Sequence, residues 1–90
     1  MGQTNFQALK WEKVTESSSV RGIKYDTVNR ELWVDFKGAK DNIYRYNNVS
    51  SFMFQKFNNA LSKGKFISEN IRNKYEFDIF PRKDIEIKYD

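Results

Sequence analysis

Between Asn42 and Tyr75 the chain offers a strand, a helix cap, a helix and a basic glycine turn with no spare residues between them, and that order leaves few folds open. Ile43-Tyr44-Arg45-Tyr46-Asn47 alternates, with both tyrosines on one face and Ile43, Arg45 and Asn47 on the other. Ser50 is placed to accept from free N–H groups as a helix N-cap, and Val49 before it can reach Phe54 as a hydrophobic staple. Phe54, Phe57 and Leu61 recur at spacings of three and four, with Met53 and Ala60 beside them, which predicts one apolar helix face running to Leu61. Gly64 is expected to supply the left-handed conformation that ends this helix. Ile67, Ile71 and Tyr75 recur every four residues and predict a second short helix over 66–74.

Upstream, Val20-Arg21-Gly22-Ile23-Lys24-Tyr25 alternates through Ile23 and Tyr25 and reads as a strand, followed by turn chemistry from Asp26 to Asn29. Glu31 to Lys37 is the clearest strand: Leu32, Val34 and Phe36 point one way, Trp33 and Asp35 the other. Short links between these runs predict an antiparallel meander. At the ends, Leu9 and Trp11 alternate with polar residues and suit a short extended piece packed on the domain. Pro81 breaks the chain, and Asp84 to Tyr89 alternates as a last strand. The expected fold class is α+β: a three-stranded antiparallel meander packed on one or two short helices, with an additional C-terminal strand. The expected organisation is an N-terminal extension over 1–14, a domain over 15–75 and a C-terminal strand extension over 76–90.

Composition narrows the chemistry. Ninety residues make one domain of modest stability, and the 17 % aromatic content lets a small chain build a core from large rings. Cys and His are both absent, which removes disulfides, zinc–thiolate sites and nucleophile–histidine catalysis within this chain. Asp26, Asp35, Asp41 and Glu69 have no spacing that recommends an acid pair or a magnesium site. A protein that is not an enzyme, with no cofactor and no metal, is expected. No apolar run is long enough to span a membrane, and the first residues lack a basic-then-apolar leader, so no membrane partner and a cytoplasmic location are expected. Sixteen basic against twelve acidic residues, net +4, point to an anionic partner, or simply to a solvated lysine-rich surface.

Taken together, Ser17-Ser18, Val20, Ile23, Tyr25-Asp26, Leu32-x-Val34-x-Phe36, Tyr44-x-Tyr46, Val49, Ala60-x-Ser62-x-Gly64, Phe66-Ile67, Ile71-Arg72 and Tyr75 resemble the KTSC domain. This small domain is named for the C-terminus of some lysyl-tRNA synthetases and also stands alone in bacterial and phage proteins. The resemblance runs from Thr15 to Tyr75. It departs from the family pattern at Val49-Ser50, where the family has Val-Pro, in a Gly38–Asn42 turn about two residues longer, and at Ser68, often Asn in the family. The resemblance implies a small α+β domain suspected of RNA binding.

Three groups of residues are candidate ligand contacts. Lys63, Gly64, Lys65, Asn70 and Arg72 would set close backbone approach and cations around a helix start, which suits phosphate, although lysines favour helix C-termini anyway. Tyr44, Arg45 and Tyr46 could offer hydroxyls and a guanidinium, or pack on the helix with Arg45 solvated or paired with Asp35. Trp33, with Lys24 and Arg45 on neighbouring strands, could stack bases, or be covered by the Phe6–Trp11 segment or the C-terminal strand. Ser17 and Ser18 could add hydroxyls or close the strand end. The expected function is a non-enzymatic binding module for RNA or a nucleotide. The alternatives are a phage counter-defence protein that sequesters a host nucleotide signal, and a protein–protein adaptor using Ile85, Ile87 and Tyr89 as a pairing edge; a homodimer or higher homo-oligomer is compatible with each.

Overall fold

The computed structural model describes residues 10–89. The expected packing of Phe6 and Leu9 lies outside the described residues. Five strands form one antiparallel sheet in chain order: β1 (Glu12–Lys13), β2 (Val20–Asp26), β3 (Glu31–Phe36), β4 (Asn42–Tyr46) and β5 (Phe77–Pro81). Helices α1 (Ser51–Asn58) and α2 (Lys63–Phe66) connect β4 to β5, and α2 runs on as a π-helical turn, Ile67–Ile71. The fold is thus α+β, with the meander extended by a strand at each edge.

Local chemistry explains the element ends. Asp26 closes the β2–β3 turn by accepting from the N–H groups of Val28 (2.9 Å) and Asn29 (3.0 Å) and from the Asn29 side chain (2.9 Å). Tyr25 donates to the Val49 carbonyl at 2.5 Å, and its ring stacks on Phe54 at 4.3 Å, which ties the start of α1 to the sheet. Ser50 caps α1 as expected, accepting from the Met53 N–H at 3.1 Å.

The core lies between the sheet and the helices. Val20, Leu32, Val34, Val49, Phe57 and Ile71 are completely buried, with Ile23, Tyr46 and Ile67 nearly so. Each such aliphatic or phenyl side chain contributes about 1.5–3 kcal/mol by leaving water. Val20 and Ile23 share the core face although three apart, because a bulge between Val20 and Gly22 takes up one residue: Val20 faces Phe36, while Gly22 faces Asp35.

Four expectations need correction. Helix α1 ends at Asn58, and Leu61 is fully exposed rather than on the core face with Phe57. The Lys63 ammonium donates to the carbonyls of Asn58 (3.0 Å) and Ala60 (3.2 Å), satisfying groups the helix end leaves free. Gly64 does not end that helix in a left-handed conformation: no glycine among the described residues has positive φ, and Gly64 lies inside α2. The second helix starts earlier than expected, at Lys63, behind a Ser62 cap. Finally, the last strand is Phe77–Pro81, not 84–89; Arg82–Asp84 is a 3-10 turn, and 85–89 is irregular chain. Period-two alternation at Ile85 and Ile87 finds no strand partner among the described residues, whereas Phe77–Pro81 meets β4 along its length.

Candidate functional site

The two faces of the sheet carry different chemistry. On the face away from the helices, Asp35 is completely buried and Arg82 donates to both of its carboxylate oxygens, with Nη1 at 3.3 Å. The Tyr89 hydroxyl donates to Asp35 at 2.8 Å, Arg21 Nε stands 3.6 Å away, and Arg82 Nε also donates to the Lys40 carbonyl. The carboxylate beside it holds Arg82 above the usual guanidinium value. Gly22 makes room for this arrangement: a methyl group there would run into the Tyr89 ring. Trp11 meets Tyr89 edge-on at 6.3 Å. The C-terminal residues are therefore folded back over the sheet, and Asp35 pairs with Arg82, not with Arg45 as one sequence reading had it.

Arg45 is spent elsewhere on the same face. It donates to Asp78 at 2.7 Å and to Asn47 at 3.1 Å, and lies 3.7 Å from Glu31. Its guanidinium lies over Phe80 (4.9 Å) and Trp33 (5.6 Å), and Lys24 covers Trp33 from 4.7 Å. Burial lowers the Lys24 ammonium against the pull of Asp26 and Glu31. Trp33 is half-buried within this lattice of internal contacts.

On the helix side there is a cleft of about 450 Å³. Its floor is sheet: Phe36, Tyr44 and Tyr46. One wall is the row Gly64, Ser68 and Arg72 with Ile67, and the rest is Ser19 and the Gly38–Ala39 turn. Phe36 and Tyr44 meet edge-on at 5.3 Å, and Tyr44 and Tyr46 lie nearly parallel at 6.4 Å. Gly64 lets this wall approach closely, because a Cβ there would meet the Ser19 hydroxyl and force it to turn away. The π-helical turn, marked by the Arg72 N–H donating to the Ile67 carbonyl at 2.7 Å, leads directly into the Arg72 side chain. Such turns recur where a helix is adjusted for function.

Arg72 is exposed, and no carboxylate among the described residues pairs with it. Its charge reaches Tyr46, whose phenol is raised by burial first, with Arg72 pulling it the other way. An aromatic floor, hydroxyls and a guanidinium at the lip can hold an anionic group on a planar or apolar body.

Of the candidate ligand contacts, the structure brings Gly64, Arg72, Tyr44 and Tyr46 together here. Trp33 and Arg45 lie on the opposite face of the sheet. Lys63 caps α1, Lys65 is exposed and does not line the cleft, and the Asn70 amide donates to the Phe66 carbonyl at 3.4 Å. Ser17 closes the strand entry, accepting from the N–H groups of Ser19 (3.2 Å) and Val20 (3.0 Å), while Ser18 is exposed and outside the cleft. Sequence reasoning missed Ser19, Ser68 and Phe36. The signal for Ser68 was present: Gly64, Ser68 and Arg72 are each four apart, one row along a helix.

The sequence pattern of the KTSC domain matches residues 16–75. The chain belongs to the KTSC domain family. Among solved structures, the crystal structure of a KTSC domain protein from Yersinia pestis matches with a TM-score of 0.73 at 30 % sequence identity, covering 80 % of this chain and 97 % of that one. No curated protein matches. The KTSC span holds the whole cleft and its positioning residues, Tyr25, Asp26, Ser50 and Gly64. Strand β5 and the residues that bind Asp35 from the C-terminal side, Arg82 and Tyr89, lie beyond it. No helix among the described residues is long and apolar enough to cross a membrane.

Proposed function

We propose that this KTSC chain is a non-enzymatic binding module for a phosphate-bearing ligand, RNA or a nucleotide, held in the cleft between the sheet and α2. The observation that carries this reading is the Arg72 guanidinium, without a carboxylate partner among the described residues, at the lip of a tyrosine-floored cleft. Arg72 would take the phosphate, Ser19 and Ser68 would hydrogen-bond polar edges, and Tyr44 would face the base or sugar. The net charge of +4 favours the encounter with an anion. The volume falls within the roughly 300–1,000 Å³ of small-molecule sites, which favours one nucleotide unit over a long groove. Sequestration of a nucleotide signal, the counter-defence version, is the variant that this size supports. The adaptor reading has less support at its pairing edge, since Ile85, Ile87 and Tyr89 form no strand and Tyr89 is turned inward to Asp35.

The test is to denature the purified protein and identify what it releases by absorbance and mass spectrometry. Ribonucleoside monophosphates and a short single-stranded RNA are then titrated over a range of salt. A released nucleotide or RNA fragment, and affinity that falls as salt rises, are expected. Absence of binding by both probes at low salt would overturn the proposal.

A further inference from the structure

The free edge of β5 has a regular chemistry of its own. Among the described residues, β5 is last in the sheet and pairs only with β4. The Asn47 N–H donates to the Glu76 carbonyl, and the Arg82 N–H donates to the Asp41 carbonyl. Alternation along an antiparallel ladder then turns the backbone groups of Glu76, Asp78, Phe80 and Arg82 toward β4. Those of Phe77 and Ile79, and the Pro81 carbonyl, face outward. Pro81 has no N–H to leave unpaired. Phe77 and Ile79 are 46 % and 50 % exposed, on the same face as the cleft tyrosines, Phe77 lying 5.7 Å from both Tyr44 and Tyr46. An edge of this kind is a template for one more strand.

We infer that β5 pairs antiparallel with β5 of a second copy of this chain, about a two-fold axis through Ile79. This register is self-complementary in hydrogen bonding, packing and charge. The Ile79 N–H and carbonyl exchange bonds with those of the second copy's Ile79, and the Phe77 N–H donates to the second copy's Pro81 carbonyl, each bond occurring twice. Ile79 meets Ile79, Phe77 meets Pro81 and Asp78 meets Phe80, so no like charges stand opposed. One step further out, Glu76 faces the second copy's Arg82, an opposite charge. Moving the axis by one residue to Asp78 would keep the backbone bonds and pair Phe77 with Ile79, but it would set two carboxylates against each other, so charge selects the Ile79 register. An unrelated strand would satisfy the backbone groups, but the two-fold closes the exposed edge of both partners at once. The axis stands perpendicular to the sheet, so both clefts come to lie on the same side of one continuous sheet.

The full chain is first studied by sedimentation equilibrium over a dilution series, and a reversible dimer is expected. Ile79→Lys places two ammonium groups at the axis and should raise the dimer dissociation constant by about tenfold or more, with the circular dichroism of the fold retained. Because the chain has no Cys, Ile79→Cys provides a register test. Hydrogen-bonded partners lie about 5.5 Å apart at Cα, within disulfide reach, so this variant should oxidise to a covalent dimer. The two Phe77→Cys positions would lie about 13 Å apart, and that variant should stay uncrosslinked. A monomer throughout the series would overturn the inference. So would a dimer indifferent to Ile79→Lys, or crosslinking of Phe77→Cys as readily as Ile79→Cys.

Discussion

Replacing Arg82 with Ala should weaken the hold of the C-terminal residues on the sheet at measurable cost. The substitution removes both guanidinium bonds to Asp35 and the bond to the Lys40 carbonyl. It leaves a carboxylate with no exposed surface. Removing one partner of a buried ion pair costs about 3–5 kcal/mol when nothing else meets the remaining charge. Here the Arg82 side chain is 31 % exposed, Arg21 stays 3.6 Å from Asp35, and Tyr89 still donates. These three facts reduce the loss to about 2–3 kcal/mol. In a chain of this size each kcal/mol moves Tm by roughly 4–8 °C, so a fall of roughly 8–24 °C is expected. Urea unfolding followed by tryptophan fluorescence is the assay, since Trp11 and Trp33 both lie on this face. A double-mutant cycle with Asp35→Asn should show coupling of at least about 1 kcal/mol, the pair costing less than the sum of the singles. Additive effects, or a change below about 0.5 kcal/mol for Arg82→Ala, would refute the reasoning.

Gly22→Ala pushes a methyl group into the Tyr89 ring and should destabilise by roughly 1–3 kcal/mol. Gly38→Ala, with open space around it and no positive φ, should be neutral or stabilise by up to about 1 kcal/mol in the same urea titration. Burial pushes the Asp26 carboxyl up, but the Asn29 and Val28 N–H groups and the Asn29 amide outweigh this and hold it below its ordinary value. Its contribution is therefore present above pH of about 4 and lost as pH falls through the lower folded value. Asp26→Asn should be less stable at neutral pH and show a flatter acid limb. Tyr89 shifts the opposite way: burial first, then the Asp35 carboxylate, raise its phenol well above the ordinary range. That contribution is complete below pH of about 10 and is lost as pH rises further, so Tyr89→Phe should flatten the alkaline limb of the stability profile.

The central fold was legible because its signals were local. Leu32-x-Val34-x-Phe36, the Ser50 cap and the Asp26 turn each act within a few residues, and each appears as expected. The misreadings came where distant residues decide. Gly64 looks like a helix stop until Ser19, far away in sequence, is found against it. Trp33 and Arg45 look like a binding face until Asp78, Phe80 and Lys24 are seen to engage them. Asp35 gave no sign of Arg82 and Tyr89, because long-range ion pairs leave no periodicity. Strand β5 was hidden by Pro81, which reads as a breaker but is tolerated at the end of an edge strand. The cleft itself was half visible: Tyr44, Tyr46, Gly64 and Arg72 carried chemistry in the sequence and the four-residue row pointed to Ser68, while Ser19 and Phe36 joined them only through packing.

The most direct test of the binding cleft is an amide NMR titration of the native chain and of Arg72→Ala and Lys65→Ala, with ribonucleoside monophosphates and a short single-stranded RNA as probes. The cleft account predicts shifts concentrated at Tyr44, Gly64, Ser68 and Arg72. It also predicts affinity reduced by about tenfold or more in Arg72→Ala, a loss of about 1.4 kcal/mol, and nearly unchanged in Lys65→Ala. Shifts centred on Trp33 and Lys24, or equal affinity for native and Arg72→Ala chains, would contradict it.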